Sequence, residues 1–200
     1  MKNPRQYLRE RDSVLATIIT GPEGKVSRSA DLYLDLLNAI VSQQLSGRAA
    51  TTIFERFLDL FPDRDPTPRR LKAMLLPRLR SAGVSRQKAG YLKNVAAFAL
   101  RQPLDRAALR RLSDDEIIAQ LTEIKGVGRW TVEMLLMFSL GRRDVFPLDD
   151  LGIQLAMKKL YHLRGRGRQL HKRMLAIASS WQPERTLACR YLWRWRSQNK

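Results

Sequence analysis

The apolar residues of this chain recur three or four positions apart, which is the spacing of one face of an α-helix. Runs that alternate apolar and polar residues are nearly absent, and only 144–147 is a candidate for extended structure. Helices are predicted at 5–19, 34–45, 49–61, 71–75, 89–99, 113–121, 132–140, 153–160, 170–177 and 183–195. The fold class predicted from this pattern is all-α.

Several helix starts are marked by residues whose side chains accept a hydrogen bond from the backbone. Thr67 stands before Pro68, and proline is favoured at the first position of a helix. Ser85 stands before another apolar run, and Ser113 with Glu116 has the spacing of a capping box. Helices are therefore expected to begin after these three cap residues.

The segment 121–138 contains two glycines one residue apart, Gly126 and Gly128, between two predicted helices. Glycine adopts positive φ freely and has no side chain, so such a turn is tight and another backbone can approach it. Backbone N–H groups at the start of a helix attract phosphate. The pattern predicts a helix–hairpin–helix that binds phosphate, although an ordinary helix connection accounts for the glycines equally well.

Lysine and arginine outnumber aspartate and glutamate by 37 to 19, which is a formal net charge of +18. Such an excess on a folded chain points first to a polyanion, most often nucleic acid. A basic surface without a partner and attraction to an acidic membrane face are the alternatives. The charge favours the phosphate-binding interpretation of the hairpin.

Cys189 is the only cysteine, which excludes a disulfide framework, a cysteine-ligated zinc site and an iron–sulfur cluster within one chain. His162 and His171 lack metal-ligand spacing and are interpreted as surface or helix-cap residues. The first residues carry no apolar signal core, and no uncharged run reaches about 18 residues. A cytoplasmic protein is expected, in the bacterial cytosol or nucleoid rather than secreted.

We expect one unit over 1–200, made of two helical lobes. The first lobe would comprise 30–140 and end in the hairpin, and the second would comprise 1–29 together with 141–200. Ligands favour clefts between such lobes. A nucleic-acid ligand is therefore expected at a cleft that contains the hairpin.

Two stretches resemble the helix–hairpin–helix DNA glycosylases, whose motif ends in a Gly/Pro-rich loop and an aspartate: IKGVGRWT at 124–131 and VFPLDD at 145–150. The resemblance is nearest to the alkylbase branch, the 3-methyladenine type II enzymes. Other family segments are matched, in order, by 38–46, 83–89 and 181–193. The resemblance covers most of the chain and implies a minimal form, without the N-terminal β-domain that some members carry.

This resemblance implies an enzyme of base excision repair that hydrolyses the N-glycosidic bond of flipped-out alkylated purines, such as 3-methyladenine and 7-methylguanine. Asp150 aligns with the family's catalytic aspartate, which stabilises an oxocarbenium-like transition state. Its neighbour Asp149 is the rival, since paired acids before a helix are commonly a cap. Bifunctional relatives carry a nucleophilic lysine where this chain has Trp130, so a monofunctional enzyme that uses water is expected.

By the same resemblance, the base pocket comprises Trp130, Trp193 and Met134. An alkylated purine is cationic and stacks well on an indole face. Met134 departs from the family, whose members often carry an aromatic residue at that position. Core packing is the alternative for each tryptophan, and it is the favoured interpretation for Trp181.

The implied partner is double-stranded DNA that contains damaged bases. A flipped-out base leaves a gap, and the wedge turn that fills it is expected to comprise Gln43, Gln44 and Leu45, with Gln44 as the wedge. Contacts with DNA phosphate are expected at Lys125, Gly126, Gly128, Arg129 and Thr131. A structural Na⁺ or K⁺ is expected at the backbone carbonyls of Thr122, Ile124 and Val127. Neither a cofactor for catalysis nor a membrane partner is expected, and the protein is expected to be a monomer.

Other functions share part of this pattern. A glycosylase specific for hypoxanthine, for uracil or mismatched bases, or for oxidised purines would carry the same motifs. A hairpin module that binds DNA without catalysis would keep the glycines and the basic residues but would have no use for Asp150 with Trp130. A helical protein of the membrane surface would need a continuous basic stripe, whereas the charge here is scattered through loops and turns.

Overall fold

The computed structural model describes residues 3–22, 31–45 and 47–199. Over these ranges the secondary structure is helical and includes no strand, so the all-α class is confirmed. The α-helices are α1 (Pro4–Arg11), α2 (Ser13–Ala16), α3 (Leu32–Ser42), α4 (Gly47–Leu58), α5 (Pro68–Ala73), α6 (Leu76–Ser81), α7 (Arg86–Arg101), α8 (Arg106–Arg110), α9 (Asp114–Thr122), α10 (Arg129–Met134), α11 (Leu151–Leu160), α12 (Gly167–Ala178) and α13 (Arg185–Gln198). Short 3₁₀ turns lie at Pro62–Arg64 and Ser179–Trp181, and a π-helix spans Leu135–Leu140.

The chain divides into two compact units, which we name the hairpin unit (Arg28–Leu135) and the terminal unit (Met1–Ser27 with Leu136–Lys200). The hairpin unit is built around α7, which packs against α3, α5 and α6. Leu92, Val95 and Ala96 of α7 are fully buried, as expected for residues three and four positions apart on one helix face. The turn between α9 and α10 belongs to this unit.

The terminal unit has Trp181 in its core. In this unit α11 packs against α13, and α1 contacts α13. Trp181 is completely buried, and its Nε1–H donates to Oδ2 of Asp12 at 2.8 Å. The hydroxyl of Tyr161 donates to the same oxygen at 2.8 Å. The prediction that Trp181 is a core residue is confirmed.

The predicted helix caps are confirmed. Thr67 caps α5, and its helix begins with proline. Ser85 caps α7 through the N–H of Lys88. Ser113 and Glu116 form both hydrogen bonds of a capping box at the start of α9. These bonds join residues three positions apart, which is why local spacing predicts them.

Two predicted helices have different bounds in the structure. The helix expected at 5–19 is interrupted at Asp12, because the backbone of Asp12 is extended and its side chain caps α2. The helix expected at 71–75 ends at Ala73, and a second helix, α6, begins at Leu76 with Pro77 in its first turn. Proline is tolerated there because the N–H groups of the first turn have no partner within the helix.

The apolar pattern does not mark helical residues that are polar, and this accounts for two further differences from the predicted helices. The last helix, expected at 183–195, spans Arg185–Gln198. No prediction corresponds to α8, because Leu109 is its only buried residue.

Ser46, in the family-like segment 38–46, lies outside the described residues. Within the part of the chain that the structure describes, no helix is long and apolar enough to cross a membrane.

Candidate functional site

The hairpin turn depends on Gly126. The turn lies between Thr122, the last residue of α9, and Arg129, the first residue of α10, with Gly128 as the N-cap. Gly126 has a φ of +105°, and a Cβ built on it would lie 2.1 Å from Cγ of Tyr91. Only glycine combines this backbone conformation with such a close approach. The hairpin therefore lies directly against α7.

Hydrogen bonds hold the rest of the turn. The N–H of Val127 donates to the carbonyl of Ile124 at 2.9 Å, and both residues are buried. Asn94 Nδ2 donates to the carbonyl of Lys125 at 3.0 Å. Of the three carbonyls that the resemblance implies as cation ligands, those of Ile124 and Val127 lie in the turn and that of Thr122 lies at the C-terminal end of α9. That end is the negative end of the helix dipole.

The residues predicted to contact phosphate differ in exposure. Lys125, Gly128 and Arg129 are exposed, and Gly126 is half-buried. Thr131 is buried, and its hydroxyl oxygen lies 3.4 Å from a side-chain amide within the same unit. Three of the five residues therefore present exposed surface to a DNA strand, whereas Thr131 faces neighbouring protein groups.

Arg129 is held by Glu133, an acid that is only 4% exposed. The Arg129 Nε–H donates to Oε1 of Glu133 at 3.0 Å, while the guanidinium side chain keeps 57% of its exposure. Burial of a carboxylate is costly without such a partner. The i,i+4 spacing of the two residues is the signal that could have identified Glu133 from the sequence. Its place in the hairpin indicates that it orients Arg129.

The predicted wedge turn follows α3 directly. Gln43 Nε2 donates to the carbonyl of Gly126 at 3.2 Å and lies 3.4 Å from Oγ1 of Thr131. Gln44 is exposed and has a left-handed φ of +59°. Leu45 is also exposed. The amide of Gln43 is thus tied to the hairpin, whereas the side chains of Gln44 and Leu45 lie at the surface.

Lys88, near the start of α7, binds the end of α3 and the first residue of the wedge turn. Its Nζ donates to the carbonyl of Val41 at 2.8 Å and to the carbonyl of Gln43 at 2.6 Å. Partial burial lowers the pKa of Lys88. Lys88 lies in the family-like segment 83–89, but spacing alone gives it no role because its partners are 47 and 45 residues away.

In the terminal unit, Asp150 is the N-cap of α11. Its Oδ1 accepts a hydrogen bond from the N–H of Ile153 at 2.8 Å and another from Nε1–H of Trp193 at 2.9 Å. Asp150 is half-buried. Two N–H donors at one oxygen stabilise negative charge and fix the orientation of the carboxylate. The structure therefore joins two residues that the resemblance placed in one active site.

Gly152 makes room for this contact. A Cβ at this position would lie 2.9 Å from Oδ1 of Asp150, and 3.0 and 3.1 Å from Cδ1 and Nε1 of Trp193. Contacts this short oblige a neighbour to move. Gly152 is thus a functional candidate that sequence reasoning missed, and only its position two residues after the aspartate could have suggested it.

Asp149 differs from its neighbour. Its side chain is 69% exposed, and Oδ1 lies 4.0 Å from Nε2 of His171. The same His171 nitrogen lies 3.2 Å from Nε2 of Gln154. Asp150, not Asp149, is the N-cap of α11. The helix-cap interpretation of the acidic pair therefore applies to the candidate catalyst itself.

Aromatic side chains occur in both units. In the terminal unit the ring centroids of Trp193 and Phe138 are 5.9 Å apart. Phe138 is a pocket candidate that sequence reasoning missed, because it lies in an apolar helical run. In the hairpin unit Trp130 is 41% exposed, and Met134, one turn later, is half-buried. Neither Trp130 nor Trp193 is fully buried, so full core burial does not account for either residue.

These features have distinct chemical capacities. An oriented carboxylate next to an indole, as in the terminal unit, stabilises positive charge that develops on a substrate. A glycine turn at the start of a helix, with the exposed Lys125 and Arg129 beside it, suits a phosphate group. The two capacities together suit a substrate that is itself a polyanion.

Known proteins are similar to this chain in sequence and in fold. Residues 37–183 match the HhH-GPD superfamily of base excision DNA repair proteins. DNA-3-methyladenine glycosylase 1 of Schizosaccharomyces pombe is 39% identical over 164 residues, which cover 81% of this chain and 71% of that protein.

Two solved structures are similar over nearly the whole chain. The S. pombe 3-methyladenine DNA glycosylase Mag1, in complex with abasic DNA, is 34% identical with a TM-score of 0.84 and covers 96% of this chain and 95% of that one. The DNA-3-methyladenine glycosidase of Bacillus halodurans is also 34% identical with a TM-score of 0.84, and the alignment covers 99% and 91% of the two chains. The chain belongs to the HhH-GPD superfamily of base excision DNA repair proteins.

Proposed function

We propose that this protein is a monofunctional DNA glycosylase that removes alkylated purines, of the 3-methyladenine and 7-methylguanine type, from double-stranded DNA. The observation that carries the proposal is the half-buried carboxylate of Asp150, held by the N–H groups of Ile153 and the Trp193 indole. Relatives named as 3-methyladenine glycosylases support the substrate class.

The proposed role of Asp150 is electrostatic. As the bond between the base and C1′ breaks, positive charge develops on the sugar, and a fixed carboxylate beside it lowers the energy of the transition state. The same carboxylate orients the attacking water and takes its proton. An N3- or N7-alkylated purine already carries a positive charge, so it leaves without prior protonation. The site therefore needs one carboxylate and no separate general acid.

Water is the proposed nucleophile because Trp130 follows the Gly-x-Gly-Arg turn, where a lysine would form a Schiff base with the sugar. The exposed indole of Trp130 offers a stacking surface to a cationic purine, a contribution of about 0.5–2 kcal/mol. Met134, one helical turn later, adds a polarisable contact. A protein–DNA adduct trapped by borohydride would contradict the hydrolytic mechanism.

The hairpin is the proposed phosphate-binding element. The backbone N–H groups of Gly126 and Gly128 would bind a phosphate, and Lys125 and Arg129 would add attraction that weakens as salt rises. The net charge of +18 supports association with a polyanion. We propose that the protein acts as a monomer on duplex DNA in the cytosol.

Gln44 is the proposed wedge. Its side chain is exposed, and the left-handed backbone at this residue places it at the bend of the turn. The amide of Gln43 is already bonded to the hairpin, which supports Gln44 over Gln43. Leu45 beside it offers apolar surface to the neighbouring base pairs. Filling the gap offsets the cost of unstacking the target base, which is a few kcal/mol.

We also propose a structural Na⁺ or K⁺ at the carbonyls of Thr122, Ile124 and Val127. Carbonyl oxygens suit a hard cation, and that of Thr122 lies at the negative end of α9. The bound charge would strengthen phosphate binding. Replacement of Na⁺ and K⁺ by tetramethylammonium at constant ionic strength should weaken DNA binding, and an unchanged affinity would count against the ion.

Base release from methylated duplex DNA tests the proposed activity. The wild type should release 3-methyladenine and 7-methylguanine, whereas Asp150→Asn should bind the same DNA and release base slower by about 10²-fold or more. Asparagine keeps an oxygen that can accept from Ile153 and Trp193 but removes the charge. The matched control is Asp149→Asn, which removes the same charge from the exposed neighbour and should act like the wild type.

Two results would count against the proposal. If Asp150→Asn releases base as fast as Asp149→Asn, Asp150 is not the catalyst. If the wild type binds DNA but releases neither base, the alkylated-purine specificity is wrong, and hypoxanthine, uracil and oxidised purines are the substrates to measure next. Release of none of these would leave a hairpin module that binds DNA without catalysis.

A further inference from the structure

Lys88 connects α7 to the end of α3, and the end of α3 is in turn bonded to the hairpin. It lies in the first turn of α7, and its Nζ donates to the carbonyls of Val41 and Gln43 at the end of α3, at 2.8 and 2.6 Å. The side chain of Gln43 donates in turn to Gly126 in the hairpin at 3.2 Å. Gln43 is thus held at two points: Lys88 of α7 bonds its backbone carbonyl, and its side-chain amide bonds the hairpin.

The two carbonyls need a donor because α3 ends there. The last carbonyls of a helix have no N–H partner within the helix, and the negative end of the helix attracts a cation. An ammonium group makes short, charge-assisted hydrogen bonds, and the two distances from Lys88 are short. Lys88 therefore acts as a cap for the C-terminal end of α3, supplied by a different helix.

The turn that follows this cap has an uncommon backbone conformation. Gln44 has a φ of +59°, in the left-handed region that few residues other than glycine adopt. Such conformations persist where the surroundings determine them, and they cluster at functional sites. Here Lys88 and the hairpin fix the residue that precedes Gln44. The hydrogen bonds of Lys88 thus act on the residue directly before the left-handed Gln44.

We propose that Lys88 is a positioning residue for base flipping, because its two hydrogen bonds hold the turn in the conformation that presents Gln44 to the DNA duplex. The inference rests on the proposed function, in which Gln44 fills the gap left by the flipped base. Without the ammonium group the turn adopts other conformations, and Gln44 enters the gap less often. Binding to undamaged DNA through the hairpin is retained.

A double-mutant cycle of Lys88→Met and Gln44→Ala tests this inference. Methionine keeps the length of the side chain but has no N–H group. Single-turnover release of 7-methylguanine at saturating enzyme should fall about tenfold in Lys88→Met, in line with the loss of charge-assisted hydrogen bonds. The double variant should be no slower than Gln44→Ala alone, because Lys88 acts through Gln44.

The fluorescence of a base analogue in the DNA reports insertion of Gln44 without requiring base release. The probe is a duplex with 2-aminopurine beside a tetrahydrofuran site, a stable abasic analogue. The wild type should change the fluorescence as the neighbouring base is unstacked, and Lys88→Met should show a smaller change at saturating protein. Lys93→Met is the matched control, since it makes the same substitution and removes the same charge on α7, and it should match the wild type in both measurements.

Equal rates and equal fluorescence in the wild type and Lys88→Met would overturn the inference. Additive effects in the cycle would also overturn it, since additivity means that Lys88 acts independently of Gln44. If the wild type releases no base, the proposed function fails, yet the fluorescence measurement still decides the role of Lys88. Thermal melting shows whether each variant is folded, and Lys88→Leu, which also lacks an N–H group, replaces Lys88→Met in the cycle if the methionine variant does not fold.

Discussion

Gly152→Ala should separate the stability of this protein from its activity. Gly152 lies in the first turn of α11, and alanine in place of glycine in a helix stabilises it by about 0.5–1 kcal/mol. Helix propensity alone therefore predicts a neutral or stabilising change. The surroundings of Gly152 predict a loss of activity, because the added Cβ would lie 2.9 Å from Oδ1 of Asp150 and 3.0 and 3.1 Å from two atoms of the Trp193 indole.

The size of the effect follows from the displacement. Ordinary van der Waals contact with a Cβ begins near 3.4 Å, so contacts of 2.9–3.1 Å require a shift of 0.3–0.5 Å in the carboxylate, the indole or both. Misplacement of a reacting group by about 1 Å costs roughly 10²-fold in rate. A shift of about half that size should slow base release about tenfold. The hydrogen bond of 2.9 Å between Trp193 and Asp150 would be disturbed as well.

The assay is single-turnover release of 7-methylguanine at saturating enzyme, with thermal melting of the same samples. Gly90→Ala is the matched control, because Gly90 lies within α7 and a Cβ there meets no atom within 4 Å. The control should gain melting temperature and keep the wild-type rate. A folded Gly152→Ala variant with the wild-type rate would refute the reasoning that the contact between Asp150 and Trp193 sets the rate.

Three further predictions concern single residues. Trp193→Phe keeps an aromatic ring but removes the N–H donated to the candidate carboxylate, so single-turnover base release should fall about tenfold; an unchanged rate would show that this bond is dispensable. Gly126→Ala would place a Cβ 2.1 Å from a ring carbon of Tyr91 at a residue whose φ is +105°, whereas a Cβ at Gly128 meets no atom within 4 Å. In a urea titration, Gly126→Ala should therefore lose about 2–4 kcal/mol of the free energy of unfolding, and Gly128→Ala should not. Hydrogen bonds from the backbone and, to a smaller extent, from the side chain of Ser113 hold the pKa of Glu116 below its ordinary 4.5. Glu116 therefore stabilises the fold at a pH above its pKa in the unfolded chain, and this stabilisation is lost as the pH falls through its pKa in the folded protein. The melting temperature of the wild type should therefore fall more on acidification than that of Glu116→Gln, and parallel curves would contradict this.

The sequence determined the features that depend on near neighbours. The all-α class follows from apolar residues three and four positions apart, and this period depends only on the local chain. Ser85 and Ser113 begin helices as predicted, because each accepts a hydrogen bond from a residue three positions later. The interruption at Asp12 shows the limit of this reasoning, since the apolar period continues through a residue whose backbone is extended.

Only the tertiary structure decided how the candidate site is held together. Trp193 donates to Asp150 across 43 residues of chain, and the two acceptors of Lys88 are 47 and 45 residues away. No spacing rule relates such partners, because folding brings them together through the packing of whole helices. The need for glycine at Gly152 likewise arises from the atoms that occupy the space beside it, and that space is defined by residues far away in the sequence.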